Sequence, residues 1–279
     1  MKPIRSLAFV INSEKTGALG LGRELVAAAR AKGVRLKQTT RFSLPRGYLS
    51  GCDACCVIGG DGTLLGVVRE AALEGVPLIG VNRGSLGFLT TFSPEEARSE
   101  FDDLLEGSFR VDYRAMLECR VAGGRPSLAL NDVVIKDEVT SRLVLLEVFA
   151  DGELVTDYLS DGLILATATG STAYNLSAGG PIIHPRADVI AMTPICPHTL
   201  TNRSIIFRDS VKLRVTNRSK GARLLVGIDG SRELRASTGE SIDISIAGVR
   251  LPLAQRRGYS HFAVIRTKLK WSGGVAERK

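Results

Sequence analysis

Apolar residues recur along this chain at two different periods, and the period changes near residue 110. In the first third, short apolar runs alternate with stretches of helical spacing. SLAFVIN (6–12) reads as a strand, GALGLG (17–22) as a loop, and RELVAAARAKG (23–33) as a helix stopped by glycine. VRLKQTT forms a second strand. The apolar ACCVI then leads through GGDGT into LLGVVREAALEG, whose apolar residues return to helical spacing and end in glycine. PLIGVN is a further buried strand, and SPEEARSEFDDLLEG is a helix opened by Ser93 with Glu96 three residues on, the signature of a capping box. Strands alternating with helices predict a parallel sheet with helices on its faces.

Beyond residue 110 the runs are short, apolar or alternating, and punctuated by Asp-Gly and Gly-Gly turns. The predicted architecture is therefore an α/β domain over residues 1–110 and a β-rich domain over 111–259, with one helical interruption at STAYNLSAGG. The closing YSHFAVIRTKLKW either finishes the β domain or returns to the first, so that 260–279 is expected to pack back on the α/β domain or to extend the other.

Composition narrows the class. With 279 residues, 44% of them hydrophobic, the chain can bury a substantial core. No window approaches the roughly 20 apolar residues of a membrane helix, and MKPIRSLAFVIN reads as a first strand rather than a signal peptide, so a soluble, cytosolic protein without membrane partners is expected. Five cysteines, an odd number, lack the framework of a secreted disulfide protein; the Cys-x-x-Cys in GCDACC has no second pair at zinc-site spacing and reads as small residues packing a strand. A net charge of +8 favours anionic partners, but the basic residues are scattered and lack aromatic interleaving, which argues against nucleic acid.

Three loops have the composition of a site. GGDGT follows a strand and opens a helix, the place where ligands bind in an open α/β sheet. Gly59, Gly60 and Gly62 allow close backbone approach to a phosphate, whereas the carboxylate of Asp61 repels one and points instead to proton abstraction or a metal; a tight turn capped by Asp61 is the structural alternative. TGSTAYNLSAGGP (169–181) offers amides and hydroxyls for a diphosphate or ribose and Tyr174 for a base, or else a helix capped by Ser171 or Thr172. LALNDVVI interrupts an apolar strand with Asn131 and Asp132, one of which should face the core; this marks a strand end at a ligand, or a turn or bulge. Asp161 and Asp229 each precede glycine and also fit hairpin turns.

Taken together, GGDGT at 59–63, LND at 130–132, DGLILATATGSTAYNLSAGGP at 161–181 and PHTLTNR at 197–203 closely resemble the NAD kinase family in identity, order and separation, over roughly residues 5–265. GGDGT alone is shared with diacylglycerol and sphingosine kinases and related phosphofructokinases; the combination is far more specific. The resemblance implies a two-domain fold with the active site between the domains, a homodimer or homotetramer, and Mg²⁺-assisted transfer of the terminal phosphoryl group of ATP, or of polyphosphate, to the adenosine ribose 2′-hydroxyl of NAD. It implies Asp61 as the proton acceptor, Gly62 and Thr63 at the phosphates, Asn131 and Asp132 on the ribose and adenine side, and Asp161 at the nicotinamide end. Thr172, Ala173, Tyr174, Asn175, Leu176 and Ser177 would line the dinucleotide groove, with Arg142, Leu159 and Ser231 at more variable contacts and Asp229 beside them. No dedicated metal ligand is implied. The chain departs from the family in Asp132, where Glu is commoner, and in Ser204, where Pro is frequent; RGSLGFL (83–89) keeps the family's Gly-x-Leu-Gly-Phe run. The rivals are a lipid or sugar kinase sharing GGDGT and a dinucleotide-binding regulator without catalysis.

Overall fold

The computed structural model describes residues 2–84, 87–139, 142–199 and 201–271. Leu86 of the Gly-x-Leu-Gly-Phe run, Leu200 of PHTL and residues 272–279 lie outside the described residues. The chain divides into two compact units, Met1–Asp112 with Pro252–Lys279, and Tyr113–Leu251.

The first unit opens with β1 (Ser6–Ile11), α1 (Ala18–Ala31), β2 (Arg35–Thr39), β3 (Ala54–Gly59), α2 (Asp61–Glu74) and β4 (Leu78–Asn82). Two short helices, α3 (Pro94–Ser99) and α4 (Phe101–Leu105), precede β5 (Arg110–Arg114). The capping box forms: Ser93 Oγ accepts from Glu96 N–H at 3.1 Å, and Ser93 N–H donates to Glu96 Oε2 at 2.8 Å. Gly75 stops α2 in the left-handed conformation at φ 66°.

GALGLG is not a loop. Helix α1 begins at Ala18 and includes Gly20 and Gly22, because a Cβ at Gly22 would stand 2.5 Å from Ile11 Cδ1. The absent side chain lets the helix close onto β1, and that packing overrides glycine's poor helix propensity.

In the second unit, β6 (Leu117–Val121), β7 (Ser127–Ala129), β8 (Asp132–Asp137), β9 (Val144–Ala150), β10 (Glu153–Ser160) and β11 (Gly162–Thr167) lead to a 3₁₀ turn, Gly170–Thr172, and α5 (Tyr174–Ser177). Then follow β12 (Val189–Ile195), β13 (Ile205–Arg208), β14 (Leu213–Asn217), β15 (Leu224–Ile228), β16 (Arg232–Ala236) and β17 (Ser241–Ile246). They form two six-stranded antiparallel sheets, ordered β10-β9-β14-β17-β6-β7 and β13-β12-β11-β8-β15-β16. One apolar core, including Leu117, Val133, Ile135, Val148, Leu165 and Val226, draws on strands of both.

The chain then returns to the first unit through β18 (Leu251–Gln255) and α6 (His261–Leu269). The first sheet reads β2-β1-β3-β4-β18-β5, with β1, β2, β3, β4 and β18 parallel to their neighbours in that run. After β1 the chain adds a strand on one side and then crosses to the other, which makes the β1/β3 boundary the topological switch point. Among the described residues no helix is long and apolar enough to cross a membrane.

Candidate functional site

Three parallel strands of the first unit end beside one another. Asn12 follows β1, Gly60 follows β3 and Asn82 ends β4, so their carboxyl ends ring the switch point, where a cavity of about 480 Å³ opens. Asp61 is the first residue of α2, and its carboxylate lines this cavity with Glu14, Lys15, Arg83 and Lys268. It accepts from the Phe88, Leu89 and Thr90 amides at 2.8, 3.2 and 2.9 Å and from the Thr90 hydroxyl at 2.8 Å. Gly62 lies on the first turn of α2. Thr63 is buried, and its hydroxyl accepts from Asn12 Nδ2 at 2.8 Å, tying the end of β1 to the start of α2 across the switch point.

A second cavity, about 400 Å³, lies wholly within the second unit. It gathers Asn131, Asp132, Ala173, Tyr174 and Asp229. Asn131 is a bend ahead of β8, and Asp132 is that strand's first residue, 4% exposed. The bend resolves the alternation problem posed by two adjacent polar residues, since Asn131 is outside the strand. Asp229 holds the bend in place: its carboxylate accepts from the amides of Leu130 (2.8 Å), Asn131 (2.7 Å) and Asp132 (3.2 Å). It does so from a turn with φ at 49°, a conformation an L residue adopts at a cost that three charge-assisted hydrogen bonds offset.

Burial raises the Asp132 carboxyl to about 7, with the charge of Asp229 adding to the rise and the Tyr174 amide hydrogen bond opposing it. Burial also raises Asp229, against its three amides and Arg232. An acid whose folded pKa lies above its unfolded value binds its proton more tightly when folded, so stability falls as pH rises from about 4 through about 7. Asp132→Asn is expected to flatten that part of the stability profile and to raise the melting temperature at pH 8 relative to wild type. Thermal melts at pH 5 to 8 test this; parallel profiles for the two proteins would refute it.

The other sequence-predicted residues are spread more widely. Asn175 is fully buried, donating to Ser171 O (3.1 Å) and Pro181 O (3.0 Å) and accepting from the Thr193 hydroxyl (2.7 Å), so its amide braces the loop from within. The Thr172 hydroxyl turns back to Thr169 O at 3.3 Å, Leu176 is half-buried, and Ser177 is exposed at the end of α5. Ser231 is exposed in the Asp229 turn, its amide donating to Ile228 O at 3.1 Å. Asp161 is exposed where the chain passes from β10, in one sheet, to β11, in the other. Leu159 on β10 and Arg142 before β9 are also exposed, and neither lines either cavity.

Lys15, Arg83 and Lys268 were not singled out from sequence. Arg83 had a usable signal, since it directly follows a buried strand of the parallel sheet; Lys268 had none, because the closing segment had two possible destinations. A larger concavity, about 750 Å³, lies over the second unit's first sheet and is lined by Glu118 with Arg120 and Arg214 with Asp243, which neutralise each other. It holds none of the motif residues. Cys55 and Cys56 are fully buried in β3, and burial pushes the Cys56 thiol up to about 12; all five cysteines are free.

Comparison with known proteins agrees across the chain. Residues 9–109 match the family model of the ATP-NAD kinase N-terminal domain, and residues 130–254 that of the ATP-NAD kinase C-terminal domain. The NAD kinase of Geobacter sulfurreducens is 37% identical over 265 residues, covering 90% of this chain and 93% of that protein. That of Aromatoleum aromaticum is 43% identical over 225 residues (79% and 74%), and that of Pseudomonas putida strain W619 is 39% identical over 233 (81% and 78%). Among solved structures, an NAD kinase from Archaeoglobus fulgidus in complex with ATP aligns with a TM-score of 0.82 at 24% identity, covering 95% of this chain and 98% of that one. Yeast NADH kinase complexed with NADH aligns at 0.82 and 23%, covering 100% and 90%. At these identities the two structures speak for the fold.

Proposed function

The chain belongs to the NAD kinase family, whose members phosphorylate NAD to NADP, and on that premise we propose how its residues carry the reaction. The observation that carries the reading is Asp61, a carboxylate held at the switch-point cavity among three cations. A ribose hydroxyl becomes a competent nucleophile only when its proton has an acceptor. In our reading the 2′-hydroxyl gives that proton to Asp61. Its oxygen forms a bond to the terminal phosphorus of ATP or polyphosphate, while the bridging P–O bond breaks and its electron pair leaves with ADP or the shortened polyphosphate.

Lys15, Arg83 and Lys268 balance the donor's negative charge, with the Gly62 amide at the start of α2 directed at the phosphates and Thr63, whose own amide donates to Gly60 O, lining the same cavity. The Glu14 carboxylate is a hard oxygen donor in the same cavity, and it fits a Mg²⁺ that keeps most of its waters. When bound, the ion neutralises charge on the donor phosphates. The cavity in the second unit suits the adenosine side of the dinucleotide, with Asn131 and Asp132 as polar contacts and Tyr174, 44% exposed, offering a flat face. Asp161, Arg142, Leu159 and Ser231 belong in this reading to the outer dinucleotide contacts, and Thr172, Leu176 and Ser177 to the rim of the groove. The same reading takes the enzyme to be cytosolic and a homodimer or homotetramer, which light scattering of the purified protein tests.

The direct test is NADP formation from NAD, ATP and Mg²⁺, read through an NADP-specific dehydrogenase with polyphosphate in parallel. A well-folded protein that makes no NADP with either donor would sink the reading. Lys268→Ala should raise KM for the donor about three- to tenfold, as expected for a screened ammonium–phosphate contact, and leave KM for NAD unchanged. An equal rise in both would remove Lys268 from the donor side.

A further inference from the structure

The hydrogen bonds around Asp61 specify which of its two oxygens is open. Oδ1 accepts three donors, Leu89 N–H, Thr90 N–H and the Thr90 hydroxyl, whereas Oδ2 accepts one, Phe88 N–H at 2.8 Å. An ionised carboxylate has about four lone-pair positions, two on each oxygen. Oδ1 is therefore saturated, and Oδ2 keeps room for one more hydrogen.

The chain of contacts continues past Asp61. Thr90 is 0% exposed, and its hydroxyl has a single hydrogen, which goes to Asp61 Oδ1 because an ionised carboxylate only accepts. Towards Asn82, 2.7 Å away and 5% exposed, that hydroxyl must accept. The Asn82 amide is thereby fixed with Nδ2 on Thr90, and its Oδ1 is buried without a partner. Gly87 closes the arrangement from outside: a Cβ there would stand 2.0 Å from Asp61 Oδ1 and 2.4 Å from Thr90 Oγ1. An amide, a hydroxyl and a carboxylate thus form one directed relay, with the 88–90 amides on the carboxylate and no room for a side chain at Gly87.

We propose that Thr90, oriented by Asn82, is a positioning residue that occupies Asp61 Oδ1 and so makes Oδ2 the single atom that receives the acceptor's proton. The inference rests on the reading of Asp61 as proton acceptor. Fixing one oxygen removes the carboxylate's freedom to rotate, and a misplacement of about 1 Å can lower turnover by about a hundredfold. Neither Thr90 nor Asn82 needs to touch the dinucleotide for this, so their loss should appear in kcat rather than in binding.

The test is a double-mutant cycle, with kcat measured by NADP formation and NAD affinity by calorimetry. Thr90→Val should lower kcat about ten- to a hundredfold, the usual cost of a hydrogen bond to a charged group, with NAD affinity within about twofold of wild type. Thr90→Ser, which keeps the hydroxyl, should recover kcat to within about threefold. In an Asp61→Asn background Thr90→Val should add little further loss, because the group it positions is gone. Asn82→Ala leaves Asp61's own donors intact and should lower kcat about three- to tenfold, which keeps the proposal testable if Thr90→Val does not fold. A Thr90→Val effect of equal size in both backgrounds, a serine variant no better than valine, or an Asn82→Ala enzyme with wild-type kcat would overturn the relay. Wild-type turnover in Asp61→Asn alone would instead overturn the reading of Asp61 and leave the relay as a structural feature.

Discussion

Asp61→Asn is expected to bind NAD with nearly unchanged affinity and to lose about two to four orders of magnitude in kcat, the range of a general base. The substitution is close to isosteric, and Asn can still accept at one oxygen from the 88–90 backbone amides. Its –NH₂, however, meets donors at Phe88 or at Leu89 and Thr90, whichever way it turns. Some rearrangement of that loop is therefore built into the variant, and a thermal melt should accompany the kinetics. Calorimetric NAD titration beside the coupled assay separates the possibilities. Loss of kcat with binding retained assigns Asp61 to the chemical step, whereas parallel loss of both assigns it to binding or folding.

The second large effect is on stability. Gly170→Ala should unfold the loop that follows β11, at a cost of about 3 kcal/mol or more, because the new Cβ would stand 2.0 Å from Asn131 O and 2.4 Å from its carbonyl carbon. Backbone, unlike a flexible side chain, cannot swing away. The two segments are already bonded together: Thr167 N–H donates to Asn131 O at 2.9 Å, the Thr167 hydroxyl to Leu130 O at 2.6 Å, and Gly170 N–H to the Thr167 hydroxyl at 3.0 Å. A collision there displaces Asn131 and Asp132 together. The internal control is Gly20→Ala, in α1 with open space around it, which should stabilise by about 0.5–1 kcal/mol. Urea denaturation of both variants decides the matter, and a Gly170→Ala protein as stable as wild type would mean that the loop and the bend pack less rigidly than their geometry indicates.

What the sequence made legible follows from how local each signal is. The βα alternation, the Ser93 capping box and the glycine stop of α2 are governed by neighbours within a few residues, and all three appear in the structure. The start of α1 was misread because Gly20 and Gly22 look like loop residues until Ile11 is placed beside Gly22. GGDGT announced a site through its glycines and the position of a charge. Its partners were harder to see, since the donors to Asp61 come from residues 88–90, and Lys268 comes from some two hundred residues further along the chain. Asp229 is the clearest case of a missed role. Read as a turn, it is one, but its carboxylate also clamps Leu130, Asn131 and Asp132, nearly a hundred residues earlier. Asn175 is the converse: a motif position that suggests ligand contact, yet its amide is spent inside the protein.

The order in which the two units can be completed during synthesis follows from their connectivity. The second unit is one uninterrupted stretch, Tyr113–Leu251, whereas the first is assembled from two, separated by the whole of the second. A ribosome therefore delivers all of the second unit's strands before it delivers β18, which has to enter the first sheet between β4 and β5. Until then both of those strands present open hydrogen-bonding edges, the kind of surface that invites pairing with another nascent chain. The switch-point cavity shares that timetable, because Lys268, which lines it, emerges later still. Completion of the first sheet and of that cavity thus waits on residues translated after the whole of the second unit, and pausing between β17 and α6 should leave intermediates prone to aggregation, with one unit finished and the other lacking its inserted strand.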